Sequence, residues 1–181
     1  MLAVIGVPGL AEGDAAWIEE IRRAHDPQSD RVGPHVTFAF PQDPLDRDFF
    51  IGNLMALAAS SAPLSFHFDR LERIEDPFTP KYKFLNVLGV ATEDAAPLDA
   101  IYHALGGTLP YAPHLTLTRF GAVYSSKALE RQFGKLAQPI AARIEALDLL
   151  EIENGAIRMV QSLPLAARQE RHSRASGNPE T

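Results

Sequence analysis

The chain has 181 residues, of which 46% are hydrophobic and 22% charged, and its formal net charge is −6. These values are typical of a globular protein that can bury one substantial core. The absence of cysteine excludes disulfides, thiolate catalysis and zinc–thiolate sites. The negative net charge argues against binding along duplex nucleic acid, because such binding requires the protein to neutralise many phosphates. It leaves room for a local basic pocket that holds one or two phosphates.

The first half of the chain is predicted to alternate strands and helices, because its apolar residues recur at spacings of two or of three and four. In chain order these are a strand over 2–8, a helix over 12–25, a strand over 35–40, a helix over 46–61 and a strand over 65–74. Two prolines and a glycine in residues 26–34 predict a loop between the first helix and the second strand.

The second half repeats this order. The predicted elements are a strand over 82–90, a helix over 92–105, a strand over 114–120, a helix from Ser125 or Ser126 to about 137, and strands over 141–152 and 156–163. Asn154-Gly155 between the last two strands is a strong hairpin signal. The repeat predicts two similar α+β lobes within one domain, residues 1–163. Residues 164–181 contain few apolar side chains, and we expect a flexible tail.

A short segment occurs twice, once in each half. Residues 34–40 read PHVTFAF and residues 113–120 read PHLTLTRF. The histidines, His35 and His114, are 79 positions apart, and each lies on a predicted strand directly after a proline. The histidine of a single His-x-Thr segment usually lies at the surface of a sheet with its hydrogen bonds satisfied and has no further role. Two copies in equivalent places of a repeat indicate a function.

Alternation along a strand places residues i and i+2 on the same face. His35 therefore shares a face with Thr37. The second motif is predicted to place three polar side chains on one face: His114, Thr116 and Thr118. Leu115 and Leu117 are predicted to be buried on the other face. If the two lobes face each other, two imidazole–hydroxyl pairs converge on one cleft.

This set of side chains suits attack at phosphorus. Histidine is the side chain whose ordinary pKa lies nearest neutrality, so one imidazole can accept a proton from the nucleophile while the other protonates the departing oxygen. Two hydroxyls can hold the non-bridging phosphate oxygens as charge develops. Because imidazolium and nearby cations supply positive charge, the chemistry requires no metal, and we expect no cofactor.

His35-Val36-Thr37 and His114-Leu115-Thr116 resemble the paired His-x-Thr/Ser signatures of the 2H phosphoesterase superfamily. That group includes proteins named 2′-5′ RNA ligases and RNA 2′,3′-cyclic phosphodiesterases. The resemblance covers residues 1 to about 163. It implies a bilobal α+β fold of duplicated β-α-β-α-β units, with two antiparallel sheets facing a central cleft and a pseudo-twofold axis.

The resemblance also implies roles for four residues. His35 and His114 would be the acid–base pair, while Thr37 and Thr116 would hold phosphate. In the best-known reaction, water opens a 2′,3′-cyclic phosphate to a 2′-phosphomonoester. Which histidine is the base depends on substrate orientation, and the pseudo-symmetry leaves that open.

Four further residues are candidates for substrate binding. Arg119 follows the second motif, where similar sequences often carry arginine, although a strand-end side chain reaching solvent is the competing interpretation. The first motif is expected to have Ala39 at the matching position, an asymmetry that could orient the substrate. Tyr111 precedes the second motif and could line the cleft or pack in its turn. Lys81 and Tyr82 combine a cation with an aromatic ring, a pairing that can bind a phosphate and stack a base.

The expected activity is hydrolysis of 2′,3′-cyclic phosphates at RNA ends or on small nucleotides. The alternatives are 2′-5′ RNA ligation, a non-catalytic protein that binds nucleotides or RNA ends, and a divalent-metal site built from His35 and His114. The last ranks low because no carboxylate lies beside either histidine at ligand spacing. No apolar run approaches the roughly 20 residues that span a bilayer, so we expect a cytoplasmic protein, and we expect a monomer.

Overall fold

The computed structural model describes residues 1–75, 86–91, 96–108, 113–120 and 136–166. Its helices are α1 (Glu12–His25), α2 (Arg47–Ser60) and α3 (Ala96–Ala104). Its strands are β1 (Leu2–Gly6), β2 (Pro8–Gly9), β3 (Val36–Gln42), β4 (Leu64–Phe68), β5 (Arg70–Glu75), β6 (Asn86–Ala91), β7 (His114–Phe120), β8 (Ile140–Ile144), β9 (Ala146–Glu153) and β10 (Ala156–Pro164). The predicted helices over 12–25 and 46–61 are confirmed to within a residue at each end.

Three of the predicted strands differ from this list. The predicted strands over 2–8, 65–74 and 141–152 are each two strands, divided at Val7, Asp69 and Glu145. In all three cases the two parts belong to different sheets, and a chain that leaves one sheet for another must break its ladder. The helix predicted from Ser125 or Ser126 and the tail beyond residue 166 lie outside the described residues.

The strands form two antiparallel sheets. A seven-stranded sheet has the order β10-β9-β1-β3-β7-β6-β5, and a three-stranded sheet has the order β2-β8-β4. The described pairings are all antiparallel. The predicted α+β class with two antiparallel sheets is therefore confirmed.

The order of the large sheet is symmetric about the contact between β3 and β7. On either side follow β1 and β6, and then β9 and β5, while β10 adds to one end only. The described register joins β3 to β7 at Val36 and Leu115, which are 79 positions apart, like the two histidines. A local twofold axis through this pair of residues thus exchanges the two motifs. The motif strands are neighbours in one sheet, rather than parts of two surfaces that face each other.

The main core lies on one face of the large sheet. Leu2 and Val4 of β1 join the buried faces of the helices and of the small sheet in one cluster. The intervening Ala3 and Ile5 are buried in a smaller cluster on the opposite face, so this central strand is covered on both sides. At Gly6 an added Cβ would lie 2.7 Å from a ring carbon of Phe38, and only glycine lets the sheet and core approach so closely.

Local side-chain and turn chemistry accounts for two element boundaries, and the first of them is the predicted hairpin. Asn154 and Gly155 have φ of 50° and 80°, the left-handed pair that a two-residue hairpin requires, and they join β9 to β10. The side chain of Asp46 accepts a hydrogen bond of 2.9 Å from the amide of Phe49 and caps α2. None of the described helices has the length and apolarity that crossing a bilayer would require.

Candidate active site

The register between β3 and β7 brings the four motif side chains together. Val36 and Leu115 face each other and are fully buried, so the residues on either side of them point to the opposite face. Because the strands are antiparallel, His35 lies beside Thr116 and Thr37 beside His114. All four side chains are partly exposed. The imidazoles are therefore diagonal neighbours on one face, with β-carbons about 7 Å apart or somewhat less.

Both motif strands have an irregularity at the same point. Against β1, the register of β3 shifts by one residue between Thr37 and Ala39. Against β6, the register of β7 shifts in the same way between Thr116 and Thr118. At this point each strand has one extra residue, which is the signature of a β-bulge. β3 has a second shift between Ala39 and Gln42, whereas the described pairs of β7 with β6 have one shift. A bulge reverses the alternation of side chains beyond it, so the residues after the bulge change faces.

The bulge corrects the prediction for Thr118. Strict alternation predicted that Thr118 would share a face with His114 and Thr116, but its side chain is fully buried, as is that of its neighbour Leu117. The burial of both residues at the point where the register shifts agrees with a bulge. Alternation resumes with Arg119 on the side of the motif histidine, and 21% of its side chain is exposed.

The equivalent of Arg119 in the first motif also needs correction. Counting from the histidines, and with both bulges at the same point, the residue equivalent to Arg119 is Phe40. Ala39, the expected match, is equivalent to Thr118 and is likewise buried. The expectation that Ala39 matches Arg119 is wrong by one position, because the second motif has one more residue before its final aromatic residue. The site thus has a cation on one flank and a half-buried phenylalanine on the other.

His35 has the properties of a neutral base. Its Nδ1 lies 2.8 Å from the carbonyl oxygen of Gly33, and since a carbonyl can only accept, Nδ1 carries the proton and Nε2 the lone pair. Desolvation by the surrounding protein lowers the pKa of His35 from 6.5 to about 4. The positive charges of Arg22 and Arg119 and the nearby His114 act in the same direction, against the bond to Gly33. The imidazole is therefore uncharged at neutral pH.

A buried charged cluster lies next to this histidine. Asp26 follows α1, and its Oδ2 accepts hydrogen bonds from Nε and Nη2 of Arg22 at 3.3 and 3.1 Å. Its Oδ1 lies 3.2 Å from Nε of Arg119 on β7 and accepts a hydrogen bond from the amide of Gln28 at 3.1 Å. Arg22 and Asp26 are 1% and 4% exposed. The cluster of Arg22, Asp26 and Arg119 joins the first helix to the second motif.

Sequence reasoning missed Arg22 and Asp26. A signal was present, because Arg22 follows Ile18 by four residues and so falls on the apolar face of α1, where a charge needs a buried partner. Asp26 is four residues further on and precedes a proline, which ends the helix and holds Asp26 in extended backbone. The sequence does not say that the same carboxylate also meets Arg119, since α1 and β7 are far apart in the chain.

Three predicted substrate-binding residues, Tyr111, Tyr82 and Lys81, lie outside the described residues. Within the described part of the chain, no three histidine, aspartate or glutamate side chains converge as a ligand set for a metal ion. The four motif residues and Arg119 are thus the predicted site residues that the structure brings to one place.

Comparisons with known proteins agree with this architecture. The family model described as "2'-5' RNA ligase superfamily" matches residues 11–156. The crystal structure of TT0787 from Thermus thermophilus is similar with a TM-score of 0.57 and 17% identity, over 92% of this chain and 98% of that one. LigT of E. coli in apo form is similar with a TM-score of 0.56 and 16% identity, over 91% of this chain and 96% of that one. No curated protein matches the sequence.

LigT is also known in complexes with small molecules. A complex with NADP+ is similar to this chain with a TM-score of 0.55, and one with 3'-AMP with a TM-score of 0.52, each at 16% identity. Both comparisons cover 91% of this chain, and they cover 96% and 97% of the LigT chains. At this level of identity the likeness to solved structures shows the fold.

Proposed function

We propose, from the premise that this chain belongs to the 2′-5′ RNA ligase superfamily, that it hydrolyses 2′,3′-cyclic phosphates at RNA ends or on small nucleotides without a metal. The observation that carries the proposal is the pair of His–Thr segments related by a local twofold axis at Val36 and Leu115. Two imidazoles and two hydroxyls at this spacing can surround one phosphate. The alternative of a non-catalytic binding protein gives no reason for both histidines and both threonines to share one face.

The environment of His35 favours the role of general base for it. A neutral imidazole whose Nδ1 proton is held by the Gly33 carbonyl presents Nε2 as a proton acceptor. Nε2 takes a proton from water, and the water oxygen forms a bond to phosphorus. The bond from phosphorus to the 3′ oxygen breaks, and protonated His114 donates its proton to that oxygen. The products are a free 3′ hydroxyl and a 2′-phosphomonoester.

The hydroxyls of Thr37 and Thr116 would then hold the two non-bridging oxygens, one on each side of the local axis. Each is the cross-strand neighbour of the other motif's histidine, so each phosphate oxygen lies near one donor and one imidazole. Arg119 adds a positive charge on the His35 side, where its field already acts on that histidine. Fixed donors of this kind stabilise the charge that develops in the transition state.

A nucleotide substrate agrees with the comparisons. LigT structures contain NADP+ or 3'-AMP, and both ligands carry phosphate on a ribose. The acidic body of this chain, with its net charge of −6, disfavours binding along many phosphates of a long duplex. A terminal cyclic phosphate or a mononucleotide needs only the local positive charge that Arg22 and Arg119 supply.

The test is turnover by His35→Ala and His114→Ala variants on 2′,3′-cyclic mononucleotides, in the presence of a chelator. Each variant should lose about 10²- to 10⁴-fold in kcat, the usual contribution of a positioned acid or base. His67→Ala is the matched control, because His67 is an exposed histidine on β4 of the other sheet, and it should keep full activity. Wild-type kcat in both motif variants would overturn the proposal. Tight binding of the cyclic nucleotide with no turnover by the wild type would favour the binding protein.

The description of the matching family favours 2′-5′ RNA ligation as a second candidate. Ligation would use the same displacement with a hydroxyl of one RNA end in place of water. Its oxygen would bond to the phosphorus of the cyclic phosphate on another end, while the bond to the 3′ oxygen breaks and that oxygen takes a proton from His114. Incubating two RNA halves and looking for a joined product by gel electrophoresis separates the two activities. A joined product that His114→Ala does not form would establish ligation at this site.

A further inference from the structure

The buried cluster of Arg22, Asp26 and Arg119 exchanges no proton in the proposed reaction, yet its two arginines lie close enough to His35 to lower its pKa. It holds two cations and one anion, and Arg22 and Asp26 are almost completely buried. Burying charges costs free energy unless they are paired with good geometry. Because this cluster has one more cation than anion, its excess positive charge is costly to bury in the free protein. An anion that binds at the neighbouring site would compensate that charge.

Two groups other than Arg119 hold the carboxylate of Asp26 in place. Both Oδ2 bonds come from Arg22, four residues earlier on α1, and the amide of Gln28 donates to Oδ1. Arg22 in turn donates a 2.7 Å hydrogen bond from Nη2 to the carbonyl oxygen of Val32, in the loop that leads to His35. The carboxylate therefore has a fixed place relative to the first motif.

Arg119 meets this carboxylate with one edge of its guanidinium. Its Nε lies 3.2 Å from Oδ1 of Asp26, an ion pair in which the N–H of Nε is not aligned for a hydrogen bond with any described residue. The two Nη atoms form the outer end of the guanidinium group. This end can bind a phosphate through two hydrogen bonds. Without a carboxylate at Nε, the long side chain of Arg119 would be free to adopt several rotamers.

We propose that Asp26 is a positioning residue, which holds Arg119 by Nε so that its Nη atoms are presented to the substrate phosphate on the His35 side. The proposal rests on the proposed function, since it assigns Arg119 to the same phosphate. Asp26 acts through Arg119 and does not touch the substrate. Arg22 supplies the counter-charge that offsets the cost of burying the Asp26 carboxylate.

The experiment measures two quantities for each variant: the kinetics on 2′,3′-cyclic AMP and the affinity for adenosine 2′-monophosphate by calorimetry. Asp26→Asn keeps the size of the side chain and removes its charge. It should weaken nucleotide binding and raise KM by about 10-fold, the effect of one charge-assisted hydrogen bond. Combined with Arg119→Met, it should add nothing to the loss that Arg119→Met causes alone, because both changes remove the same interaction.

Two further variants keep the experiment decisive. Asp26→Asn leaves Arg22 buried without its partner, and if circular dichroism shows that it is unfolded, Arg22→Met with Asp26→Asn replaces it. That double variant leaves neither charge of the buried pair behind. The matched control is Arg143→Met with Glu145→Gln, which removes an exposed arginine–carboxylate pair of 2.9 Å next to β8 and should change neither quantity.

The outcomes separate this proposal from the one it rests on. Wild-type affinity and KM in the Asp26 variant would overturn the positioning role while leaving the hydrolase intact. Losses that multiply in the combination with Arg119→Met would also overturn it, because they would show that Asp26 acts independently of Arg119. A wild-type protein that neither turns over the cyclic nucleotide nor binds the monophosphate would overturn both proposals.

Discussion

β3 and β7 carry the same His-x-Thr segment, the same register shift one residue after the threonine, and the same pattern of burial. They differ in the two residues that follow. Ala39 and Phe40 of the first strand correspond to Thr118 and Arg119 of the second. The common part surrounds the local twofold axis and is suited to a phosphate, whose own oxygens are nearly equivalent. The residues that differ lie on either side of this common part, where the protein must distinguish the two different ends of a substrate.

The largest expected effect tests the common part. Thr37→Val and Thr116→Val each remove one hydroxyl and should lower kcat on 2′,3′-cyclic AMP by about 10²-fold, since each donor meets charge that develops in the transition state. The two losses should be similar, because the threonines are related by the local axis. Steady-state kinetics of the two variants side by side is the measurement. Full activity in either variant would show that the two threonines do not have equivalent roles in the reaction.

The next effect tests the flanks. Arg119→Met should lower kcat/KM by about 10-fold or more, because it removes a charged donor near the phosphate. Phe40→Leu at the equivalent place keeps an apolar side chain and should change kcat/KM by no more than about 2-fold on a mononucleotide, since uncharged contacts of similar volume are exchanged. Equal losses from the two variants would contradict the assignment of different roles to the flanks.

The third prediction concerns pH. The base must be neutral, and the pKa of His35 in the free protein is about 4, so kcat/KM should stay high as pH falls below 6.5 and decline only near pH 4. Arg119 lowers this pKa, so Arg119→Met should move the acid limb to higher pH. Phe40→Leu removes no charge and serves as the control. An acid limb at the ordinary histidine pKa of 6.5 in the wild type would indicate that His35 is not the base.

The smallest expected effect tests Ala39 and Thr118, the buried residues at equivalent positions of the two strands. Among the described residues, the hydroxyl of Thr118 has no hydrogen-bond partner, whereas its counterpart Ala39 has no polar group to satisfy. Thr118→Val should therefore leave the free energy of unfolding unchanged or raise it by up to about 1 kcal/mol, since an unpaired buried hydroxyl is unfavourable. Urea unfolding of the variant and of the wild type gives the difference. A clear loss of stability would mean that the hydroxyl has a partner in solution.

Features that depend on neighbouring residues could be predicted from the order of the amino acids. Apolar spacing predicts α1 and α2 closely, Asn154-Gly155 predicts the last hairpin, and repetition of Pro-His-x-Thr picks out the four residues that the structure brings together. These signals are local because helix periodicity, turn conformation and strand alternation involve residues a few positions apart.

Which elements meet became clear only in the folded chain. The position of β3 beside β7, the bulges that bury Thr118 and return Arg119 to the site, and the contact between Asp26 and Arg119 all join residues that are distant in the chain. A bulge depends on the register between two strands, and a buried ion pair depends on how a helix packs on a sheet. The repeated motif could therefore be found from the sequence, whereas Phe40 as the counterpart of Arg119 required the fold.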